Sequence, residues 1–489
     1  MRSMQAGTVP SYRMFVNGAW VNSHSGRDYG VFNPATGEVF ARAQKGDVED
    51  ARVAVDAAKK AFESSAWRSI DPSKRGRILY KVAATLRERS NDFARLETMN
   101  NGKPFGQAKG DVAQSARHFE YFAGMADKIQ GSTIPVPGNR LDYTVKEPLG
   151  VTAHIVPWNY PLVMAARSLA PALAAGNTVV AKPASFTPLT LLKLAELCKE
   201  AGLPDGVMNV ITGGGDEVGG ALARNGDVKL VVLTGSVETG MKVAVDSASV
   251  LARTVLELGG KNPNIVFADS DLDRAAKGVL NGIFTNAGQM CWAGSRLLVE
   301  AGAKEALMSR IVAGADSMKL GDGLEPETQM GPLVAESQRE RVARYVQLGV
   351  EEGAKVAAGG SVPKEERLKN GYFYRPTILD DVHQSMRVAR EEIFGPVLTV
   401  TTFETAEDSV EKANDTDYGL WAGVWTKDVS MAHRMAQSLE AGIITINEEP
   451  VTFPQTPFGG FKWSGNSSEQ GMDAMSSYTR VKNVSVNLD

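Results

Sequence analysis

The sequence predicts an α/β protein with two largely parallel sheets, helices on both faces of each sheet, and a smaller β arm. A chain of 489 residues is longer than one hydrophobic core usually serves, which favours two or three domains. Strand-like and helix-like patterns alternate from Gly150 to Val245, and again from Asn264 to Ile446. Such alternation is typical of parallel sheets whose strands are joined by right-handed helical crossovers.

Composition and charge are those of an ordinary globular chain. Hydrophobic residues make up 43% and charged residues 22%, and 53 basic against 57 acidic side chains give a net charge of −4. Because there are no long runs of one sign, we expect no nucleic-acid partner and no membrane partner. Two cysteines form no disulfide framework, so we expect a reducing compartment, the cytoplasm.

Targeting, membrane-spanning and metal signals are not found in the sequence. Residues Met1–Pro10 contain no apolar core of signal-peptide length. The most apolar stretch, Pro157–Ala181, is interrupted by polar residues and prolines, and it predicts a loop, a helix and a strand rather than a membrane span. No metal is expected, because the cysteines and the five histidines lack metal-ligand spacing: His24, His118, His154, His383 and His433.

The amino-terminal third is expected to be rich in helix. Short strands around turns are predicted between residues 11 and 45. An amphipathic helix is predicted over Asp47–Phe62 with Asp47 as its N-cap, and longer helices over Ser73–Met99 and Gly110–Met125.

Two extended segments are predicted to form an oligomerisation arm. Prolines in Gln130–Val145 exclude a central strand and favour an excursion from the main sheets. The carboxyl-terminal stretch Tyr478–Leu488 alternates in the same β-like way. We therefore expect a homodimer or a homotetramer.

The first alternating region contains four predicted strands and four predicted helices. One helix is expected to have Thr187 as its N-cap, Pro188 at its first position and Gly202 past its end. Cys198 lies on the apolar stripe of that helix, which indicates packing. The predicted strands are Val151–Val156, Thr178–Ala181, Val207–Ile211 and Leu230–Leu233, and the other helices are Leu162–Ala174, Glu217–Arg224 and Glu238–Val245.

The second alternating region repeats this pattern and contains Cys291. Its predicted strands are Asn264–Phe267, Leu297–Val299, Leu398–Phe403, Gly423–Trp425 and Gly442–Ile446, and its predicted helices are Leu272–Asn286, Lys304–Met318 and Glu336–Glu352.

Nucleotides usually bind at loops that follow the carboxyl ends of parallel strands. In the first region these loops are 157–161, 182–185, 213–216 and 234–236. The dinucleotide fingerprint G-x-G-x-x-G is absent, because Gly213, Gly215 and Gly219 are one residue too widely spaced. A glycine-rich turn before a helix can still present amide groups to a phosphate.

Cys291 and Glu257 are the candidate reactive residues. Cys291 lies in a loop of small residues before a strand, where a substrate can approach a thiol closely. Glu257 ends the apolar run of residues 254–256, where a buried carboxylate is costly and its pKa is expected to shift. On these two residues alone, a packing cysteine and an ordinary turn remain open.

Seven short motifs make the chain resemble the NAD(P)-dependent aldehyde dehydrogenase superfamily over almost its whole length. They occur in the family's order, and Glu257 precedes Cys291 by the family's 34 residues. The motifs are Pro157-Trp158-Asn159-Tyr160-Pro161, Lys182-Pro183-Ala184, Thr234-Gly235-Ser236, Glu257-Leu258-Gly259-Gly260-Lys261, Gly288-Gln289-Met290-Cys291, Glu391-Glu392-Ile393-Phe394-Gly395-Pro396 and Pro457-Phe458-Gly459-Gly460-Phe461-Lys462.

The resemblance implies two Rossmann-like domains and a dehydrogenase mechanism. Residues 1–129 and 150–258 would form the NAD(P)-binding domain, 259–447 the catalytic domain, and 130–149 with 448–489 the arm and the carboxyl-terminal extension. Cys291 would add to the aldehyde as a thiolate, the Asn159 amide and the Cys291 backbone N–H would bind the oxyanion, and Glu257 would act as the general base.

The resemblance also implies cofactor and substrate residues. Lys182 and Glu392 are similar to ribose ligands, with a surface charge as the alternative for each. The residues expected at NAD or NADP are Val156, Pro157, Trp158, Lys182, Ser185, Gly215, Gly235, Ser236, Leu258, Glu392 and Phe394. Those expected at the aldehyde are Tyr160, Arg167, Trp292 and Phe458.

Two positions depart from the family's commonest pattern. Ser185 stands where many NAD-preferring members carry an acid, so we expect NADP to be accepted. Arg167 stands where members acting on semialdehydes or hydroxyaldehydes can carry arginine, and a helix arginine reaching to water is the alternative. Thr285 replaces the second arginine of the semialdehyde members.

Three other functions stay open at this stage. Some relatives release the thioester to coenzyme A, although Glu257 favours hydrolysis by water. The chain could also be a structural relative without turnover, or could retain only esterase chemistry at Cys291.

Overall fold

The computed structural model describes residues 9–489, and it contains two seven-stranded sheets and several smaller ones. The predicted features of residues 1–8 lie outside the described part. The strands are β1 (Ser11–Tyr12), β2 (Met14–Val16), β3 (Ala19–Val21), β4 (Asp28–Asn33), β5 (Glu38–Gln44), β6 (Thr133–Ile134), β7 (Arg140–Pro148), β8 (Val151–Val156), β9 (Thr178–Pro183), β10 (Met208–Val210), β11 (Val228–Thr234), β12 (Arg253–Glu257), β13 (Pro263–Val266), β14 (Arg296–Glu300), β15 (Lys355–Ala358), β16 (Thr377–Asp380), β17 (Val397–Phe403), β18 (Tyr418–Gly419), β19 (Trp421–Trp425), β20 (Ile443–Ile446), β21 (Phe458–Gly459), β22 (Phe461–Lys462), β23 (Ser468–Glu469) and β24 (Thr479–Asn487).

The helices cover the faces of the two large sheets. They are α1 (Val48–Glu63), α2 (Ser65–Arg68), α3 (Pro72–Glu88), α4 (Ser90–Asn101), α5 (Phe105–Ala123), α6 (Pro161–Ala174), α7 (Leu189–Glu200), α8 (Gly220–Ala223), α9 (Val237–Ala248), α10 (Leu272–Phe284), α11 (Lys304–Asp316), α12 (Glu336–Glu351), α13 (Arg387–Arg390), α14 (Ala406–Asn414), α15 (Val429–Ser438) and α16 (Ala474–Ser477). Short 3₁₀ turns cover Thr285–Gly288, Ala301–Ala303 and Glu366–Leu368, and a π turn covers Gly215–Gly219.

The first large sheet has the strand order β12-β11-β8-β9-β10-β2-β3. The four predicted strands of the first alternating region appear as β8, β9, β10 and β11 and are parallel, as predicted. Strand β12, which was not predicted, pairs in parallel with β11, and β2 and β3 extend the sheet by antiparallel pairing. All residues of β9 are buried because helices cover both faces of the sheet. The carboxyl ends of β8, β9 and β11 therefore meet at one edge, where the nucleotide loops were expected.

The second large sheet has the order β15-β16-β17-β14-β13-β19-β20. All its pairs are parallel except the edge pair β15–β16. The observed architecture confirms the predicted fold class of two parallel-sheet units with a smaller β arm.

The arm is a three-stranded sheet in which the two predicted extended segments pair with each other. Strand β24 runs antiparallel to β7 over nine residue pairs, from Thr479 opposite Pro148 to Asn487 opposite Arg140, and β6 pairs with the other edge of β7. Val481 on β24 is 65% exposed. The role of this sheet in oligomerisation stays a prediction.

Several predicted helix boundaries are confirmed and others are wrong. Asp47 caps α1 in a capping box with Asp50, as predicted. The predicted helix Ser73–Met99 is instead two helices that break at Arg89 (φ −97°, ψ 20°), where serine and asparagine follow and contribute weak helix propensity. Thr187 is not an N-cap: α7 begins at Leu189, and the Thr187 hydroxyl is buried without a hydrogen bond.

The described residues 9–489 include no helix that is both long and apolar enough to cross a bilayer. Within the same range, no group of three or more histidine, cysteine, aspartate or glutamate side chains is placed to hold a metal ion. Cys198 is fully buried on α7, as its apolar stripe predicted.

Candidate active site

Cys291 and Asn159 form a shared wall between two cavities. The larger cavity, of about 390 Å³, lies on the α6 and α10 side. The smaller, of about 260 Å³, lies at the carboxyl ends of β8 and β11 and against α12. Both cavities are lined by these two residues, so a group in one can meet a group in the other at Cys291.

The loop that presents Cys291 has a strained backbone. The predicted helix Leu272–Asn286 ends two residues early, at Phe284, and Asn286 and Ala287 adopt the left-handed region with φ of 50° and 53°. Gly288 is also left-handed, at φ 71°, and a Cβ there would lie 2.1 Å from the Gly395 carbonyl oxygen. Strain of this kind persists where surrounding contacts hold it, and it clusters at functional sites.

Side-chain amides hold this loop against the loop that follows β8. Asn286 Nδ2 donates to the Asn159 carbonyl at 2.9 Å, and Asn159 Nδ2 donates to the Gln289 carbonyl at 3.0 Å. Gln289 Nε2 in turn donates to the Asn286 carbonyl at 3.0 Å. These bonds hold the Asn159 side-chain amide against the segment 286–290, which leads into Cys291.

The surroundings of the partly exposed Cys291 favour its thiol over its thiolate. Removal from water raises the pKa of Cys291 to about 12, and the charges of Glu392 and Glu257 act in the same direction. The positive charge of Arg167 and the Trp292 backbone N–H oppose this rise in the pKa. The thiolate therefore needs further positive charge or a base to form near neutral pH.

Glu257 ends β12 in a buried position. Its side chain is 1% exposed, and neither carboxyl oxygen has a hydrogen-bond partner among residues 9–489. Burial raises the pKa of Glu257 well above its usual value, while Arg167 lowers it and Glu469 raises it. Glu257 does not line either cavity in this structure, so Cys291 and Asn159 are the two predicted catalytic residues that meet in the cavity wall.

Arg167 is buried rather than reaching to water, so the surface alternative is wrong. Its Nε lies 2.5 Å from Glu469 Oε2, with both side chains almost inaccessible to solvent. Its Nη2 donates to Thr234 Oγ1 at 3.1 Å, and its guanidinium carbon lies 4.5 Å from the centre of the Phe458 ring. Arg167 lines the larger cavity, yet its charge already has a carboxylate partner.

The larger cavity is lined by aromatic, aliphatic and polar side chains. Trp292 and Phe458 meet edge to face at 5.4 Å, and Tyr160 lines the same space. All four residues predicted at the aldehyde therefore line one cavity. The other lining residues are Gln114, Val163, Met164, Asn281, Gly282, Thr285, Met290, Glu449, Pro450, Thr452 and Gln470.

The smaller cavity has features that suit a nicotinamide nucleotide. Trp158 and Phe394 meet edge to face at 5.2 Å, and Phe394 has a left-handed backbone at φ 61°. Glu392 accepts the Gly260 N–H at 2.8 Å, and burial raises the pKa of its carboxyl to about 7. Ser236 caps the start of α9, whose free amides can meet a phosphate. Pro157 and Gly235 complete the predicted residues that line this cavity.

The remaining predicted cofactor residues do not line this cavity. Lys182 is 3% exposed and so is not a surface charge; burial lowers the pKa of its amine to about 8. Ser185 is exposed and donates to the Gly213 carbonyl at 3.0 Å, and Gly215 is exposed at the start of the π turn. Val156 and Leu258 are buried, and the Leu258 N–H is already bonded to the Ser464 carbonyl.

Gln338 and Arg341 line the cofactor cavity but have no signal in the sequence motifs. Gln338 Nε2 donates to the Phe394 carbonyl at 2.7 Å, and Arg341 Nη2 donates to the Glu392 carbonyl at 2.7 Å. Both lie on α12, far in sequence from the residues that they hold. No local pattern in the sequence therefore indicates these two contacts.

A thiol and an amide lie between two cavities at the carboxyl ends of parallel strands, an arrangement found in enzymes of the α/β class. The chain belongs to the aldehyde dehydrogenase family, whose model matches residues 20–484. It is therefore an enzyme of the oxidoreductase class, which confirms the predicted family and enzyme class.

Similar proteins cover nearly the whole chain. Betaine aldehyde dehydrogenase of Bacillus subtilis is 44% identical over 476 residues, 97% of each chain, and human retinal dehydrogenase 2 is 43% identical over 97% of this chain and 92% of its own. A betaine aldehyde dehydrogenase of Staphylococcus aureus in complex with NAD⁺ superposes with a TM-score of 0.97 at 39% identity, covering 98% of this chain and 95% of that one. An NAD⁺ complex of an aldehyde dehydrogenase from Bacillus cereus gives 0.96 at 43% identity, covering 98% and 97%.

The raised pKa of Cys291 predicts a steep pH dependence of its alkylation without cofactor. A pKa of about 12 leaves a thiolate fraction of about 10⁻⁵ at pH 7, and this fraction rises about tenfold per pH unit. The rate of iodoacetamide labelling should therefore climb from pH 7 to pH 10 without levelling. Cys291→Ala measures the contribution of Cys198, and a plateau below pH 8 would contradict the raised pKa.

Proposed function

We propose that this protein oxidises an aldehyde to the carboxylate, with NAD or NADP as the hydride acceptor, through covalent intermediates on Cys291. The observation that carries the proposal is the shared wall: Cys291 and Asn159 line both the apolar cavity and the crevice at the strand ends. An aldehyde bound in the larger cavity can thus react at the Cys291 sulfur, which also borders the smaller cavity at the strand ends.

In the first step the thiol proton of Cys291 passes to Glu257 and on to solvent, while Cys291 Sγ bonds to the aldehyde carbon and the carbonyl π bond breaks. The carbonyl oxygen becomes an oxyanion in a thiohemiacetal, and the Asn159 side-chain amide and the Cys291 N–H donate to it. Asn159 Nδ2 has a second hydrogen besides the one directed to Gln289, so it can serve both acceptors. Bound NAD or NADP supplies a hydride acceptor and a positive ring near the sulfur.

Loss of the hydride leaves a thioester on Cys291, which water then hydrolyses. Glu257 takes the proton of this water, and the carboxylate product leaves while the thiol is restored. Its raised pKa makes it a stronger base once ionised, and its carboxyl would have to move into the cavity wall to reach the water, because Glu257 lines neither cavity. One aldehyde, one water and one NAD(P)⁺ give one carboxylate, one NAD(P)H and two protons.

The residues at the strand ends fit the cofactor. Glu392 and Lys182 would bind ribose hydroxyls, Ser236 and the first amides of α9 the diphosphate, and Trp158 with Phe394 the nicotinamide. Backbone contacts would come from Val156, Pro157, Gly215, Gly235 and Leu258. Residues 1–129 with 150–258 would then be the cofactor domain, and 259–447 the catalytic domain.

The assembly and location of the protein are also proposals. The sheet formed by β6, β7 and β24 is a suitable contact between subunits of a homodimer or homotetramer, because β24 is an open edge strand. Cys198 and Cys291 are both unpaired, which fits a reducing compartment such as the cytoplasm.

Substitution of Cys291 and of Glu257 should separate two steps of the reaction: formation of the thioester with hydride transfer, and hydrolysis of the thioester. Cys291→Ala should lower kcat by about 10³-fold or more, because no covalent intermediate forms. Glu257→Gln should keep a burst of about one NAD(P)H per site and lose steady-state turnover by about 10²- to 10⁴-fold. Stopped-flow absorbance at 340 nm measures both effects.

Adding coenzyme A in the same experiment tests the acylating alternative. If water hydrolyses the enzyme thioester, the product stays the free carboxylate and its rate of formation does not change when coenzyme A is added. If the enzyme is acylating, the product is the coenzyme A thioester instead of the carboxylate. A Cys291→Ala protein that oxidised aldehydes at the parent rate would remove the whole mechanism.

Ser185 predicts that NADP is accepted. Ser185 is exposed, and its hydroxyl would turn from the Gly213 carbonyl to donate to a ribose 2′-phosphate, which a carboxylate would repel. The ratio of kcat/KM for NADP to that for NAD should be measurable in the parent and fall about tenfold or more in Ser185→Glu. Ser185→Gln is the uncharged control of similar size, and a parent enzyme that rejects NADP would contradict the argument.

The names of the relatives do not select one aldehyde, so the cavity has to guide the choice. The ion pair with Glu469 neutralises much of the charge of Arg167, and Glu449 at the rim is exposed. We therefore favour a hydroxyl-bearing aldehyde over an acid-bearing one. A substrate hydroxyl needs only one N–H of the Arg167 guanidinium as a hydrogen-bond donor, whereas a substrate carboxylate also needs an unneutralised positive charge on Arg167.

Three matched four-carbon aldehydes test this preference. The parent should turn over 4-hydroxybutanal with a kcat/KM about tenfold above butanal, and succinic semialdehyde no better than butanal. Glu469→Gln should release the charge of Arg167 and raise kcat/KM for succinic semialdehyde about tenfold. A parent that strongly prefers the semialdehyde would show that Arg167 is not neutralised.

A further inference from the structure

The carbonyl oxygen of Asn159 is held by three side-chain donors from outside its own loop. Lys103 Nζ lies at 3.0 Å, Asn286 Nδ2 at 2.9 Å and Asn101 Nδ2 at 3.3 Å. A backbone carbonyl has two lone pairs and usually one or two partners, so three donors on one oxygen are an unusually firm hold. One of the three donors carries a full positive charge.

Lys103 has no access to solvent, and its charge is met entirely by protein groups. Its Nζ lies 2.5 Å from Asp111 Oδ2 and 3.8 Å from the centre of the Tyr160 ring. The side chain of Lys103 is 0% exposed and that of Asp111 is 8% exposed. A buried ammonium is costly unless each of its hydrogens has a partner, and here a carboxylate, a carbonyl and a ring face provide them.

The turn that carries Lys103 is fixed between the two halves of the molecule. Lys103 lies between α4 and α5, after Gly102, whose left-handed backbone has a φ of 97°. A Cβ on Gly331 would lie 2.0 Å from the Gly102 carbonyl, so the turn packs backbone to backbone against the second region. The amine therefore has little freedom to move away from Asn159.

Lys103 lines neither cavity, so it has no contact with a substrate or a cofactor. Its two targets in the loop are the Asn159 peptide and the Tyr160 ring, which lie next to each other at the cavity wall. Fixing the Asn159 peptide fixes the direction of the Asn159 side chain, and hence the position of the amide hydrogen that meets the oxyanion. Preorganised donors are effective because they need no reorganisation during the reaction.

We propose that Lys103, held by Asp111, is a positioning residue for the oxyanion site and acts through Asn159. The proposal rests on the role of Asn159 given above. A residue that acts through another loses its effect when that other residue is removed. A lysine that merely stabilises the fold would keep its effect.

A double-mutant cycle on the rate of hydride transfer tests this dependence. Lys103→Met should lower the single-turnover rate roughly 10- to 100-fold, with KM for the cofactor changed less than about twofold. Asn159→Ala should lower it further, and the double variant should be no slower than Asn159→Ala alone. If the rate of hydride transfer in the double variant fell by the product of the two single-variant factors, the inference would be overturned. An Asn159→Ala enzyme with the parent rate would instead overturn the proposed function.

Alkylation of Cys291 by iodoacetamide separates positioning from general damage. Alkylation forms no oxyanion, so its rate at fixed pH should be the same in Lys103→Met as in the parent. An equal fall in alkylation and in hydride transfer would show a collapsed site and overturn the inference. Lys109→Met, on the exposed face of α5, is the matched control and should leave both rates unchanged.

Asp111→Asn provides a second route if Lys103→Met does not fold. This change keeps the size of the side chain and weakens the hold on the Lys103 amine. The same cycle with Asn159→Ala should again be non-additive, and additive losses would overturn the inference.

Discussion

The hydrogen bonds between the loop after β8 and the loop before Cys291 are the constraint on which the site depends. One loop leaves the first sheet and the other leads into the second, and each supplies a side-chain amide to a backbone carbonyl of the other. The bonds are buried, so breaking one would leave a buried polar group unsatisfied. The two sheets are therefore joined at the place where the thiol and the oxyanion donor must meet.

The electrostatics around this junction follow from burial. Removal from water raises the pKa of the Cys291 thiol and of the Glu257 carboxyl together, so both reactive groups favour their neutral forms in the structure described. Arg167 is the cation that acts against this rise at both groups, and Glu469 balances its charge. Strongly shifted pKa values of this kind are typical of functional sites. The site is thus poised for the charge that a bound oxidised cofactor would add.

Strand positions were predicted well, because continuous apolar runs between turn residues are a local signal. Val151–Val156 matches β8 at both ends, and the five predicted strands of the second sheet lie within one or two residues of β13, β14, β17, β19 and β20. Strands β12, β15 and β16 were not predicted. Helix ends were predicted less well. Local propensity could not show that the chain after α10 leaves the helix at Phe284, because the left-handed residues there are held by partners 127 residues away in sequence.

The sequence by itself determined the fold class, through alternating strand and helix patterns, and the family, through short contiguous motifs. The same motifs also predicted the thiol, the amide and the acid as catalytic groups. Only the tertiary structure decided which groups surround them. It gave Arg167 a buried carboxylate partner, removed Glu257 from the cavity wall, and brought Lys103, Gln338 and Arg341 to the site. The physical reason is distance along the chain: these contacts join segments that are adjacent only after two sheets have packed, and no local pattern records them.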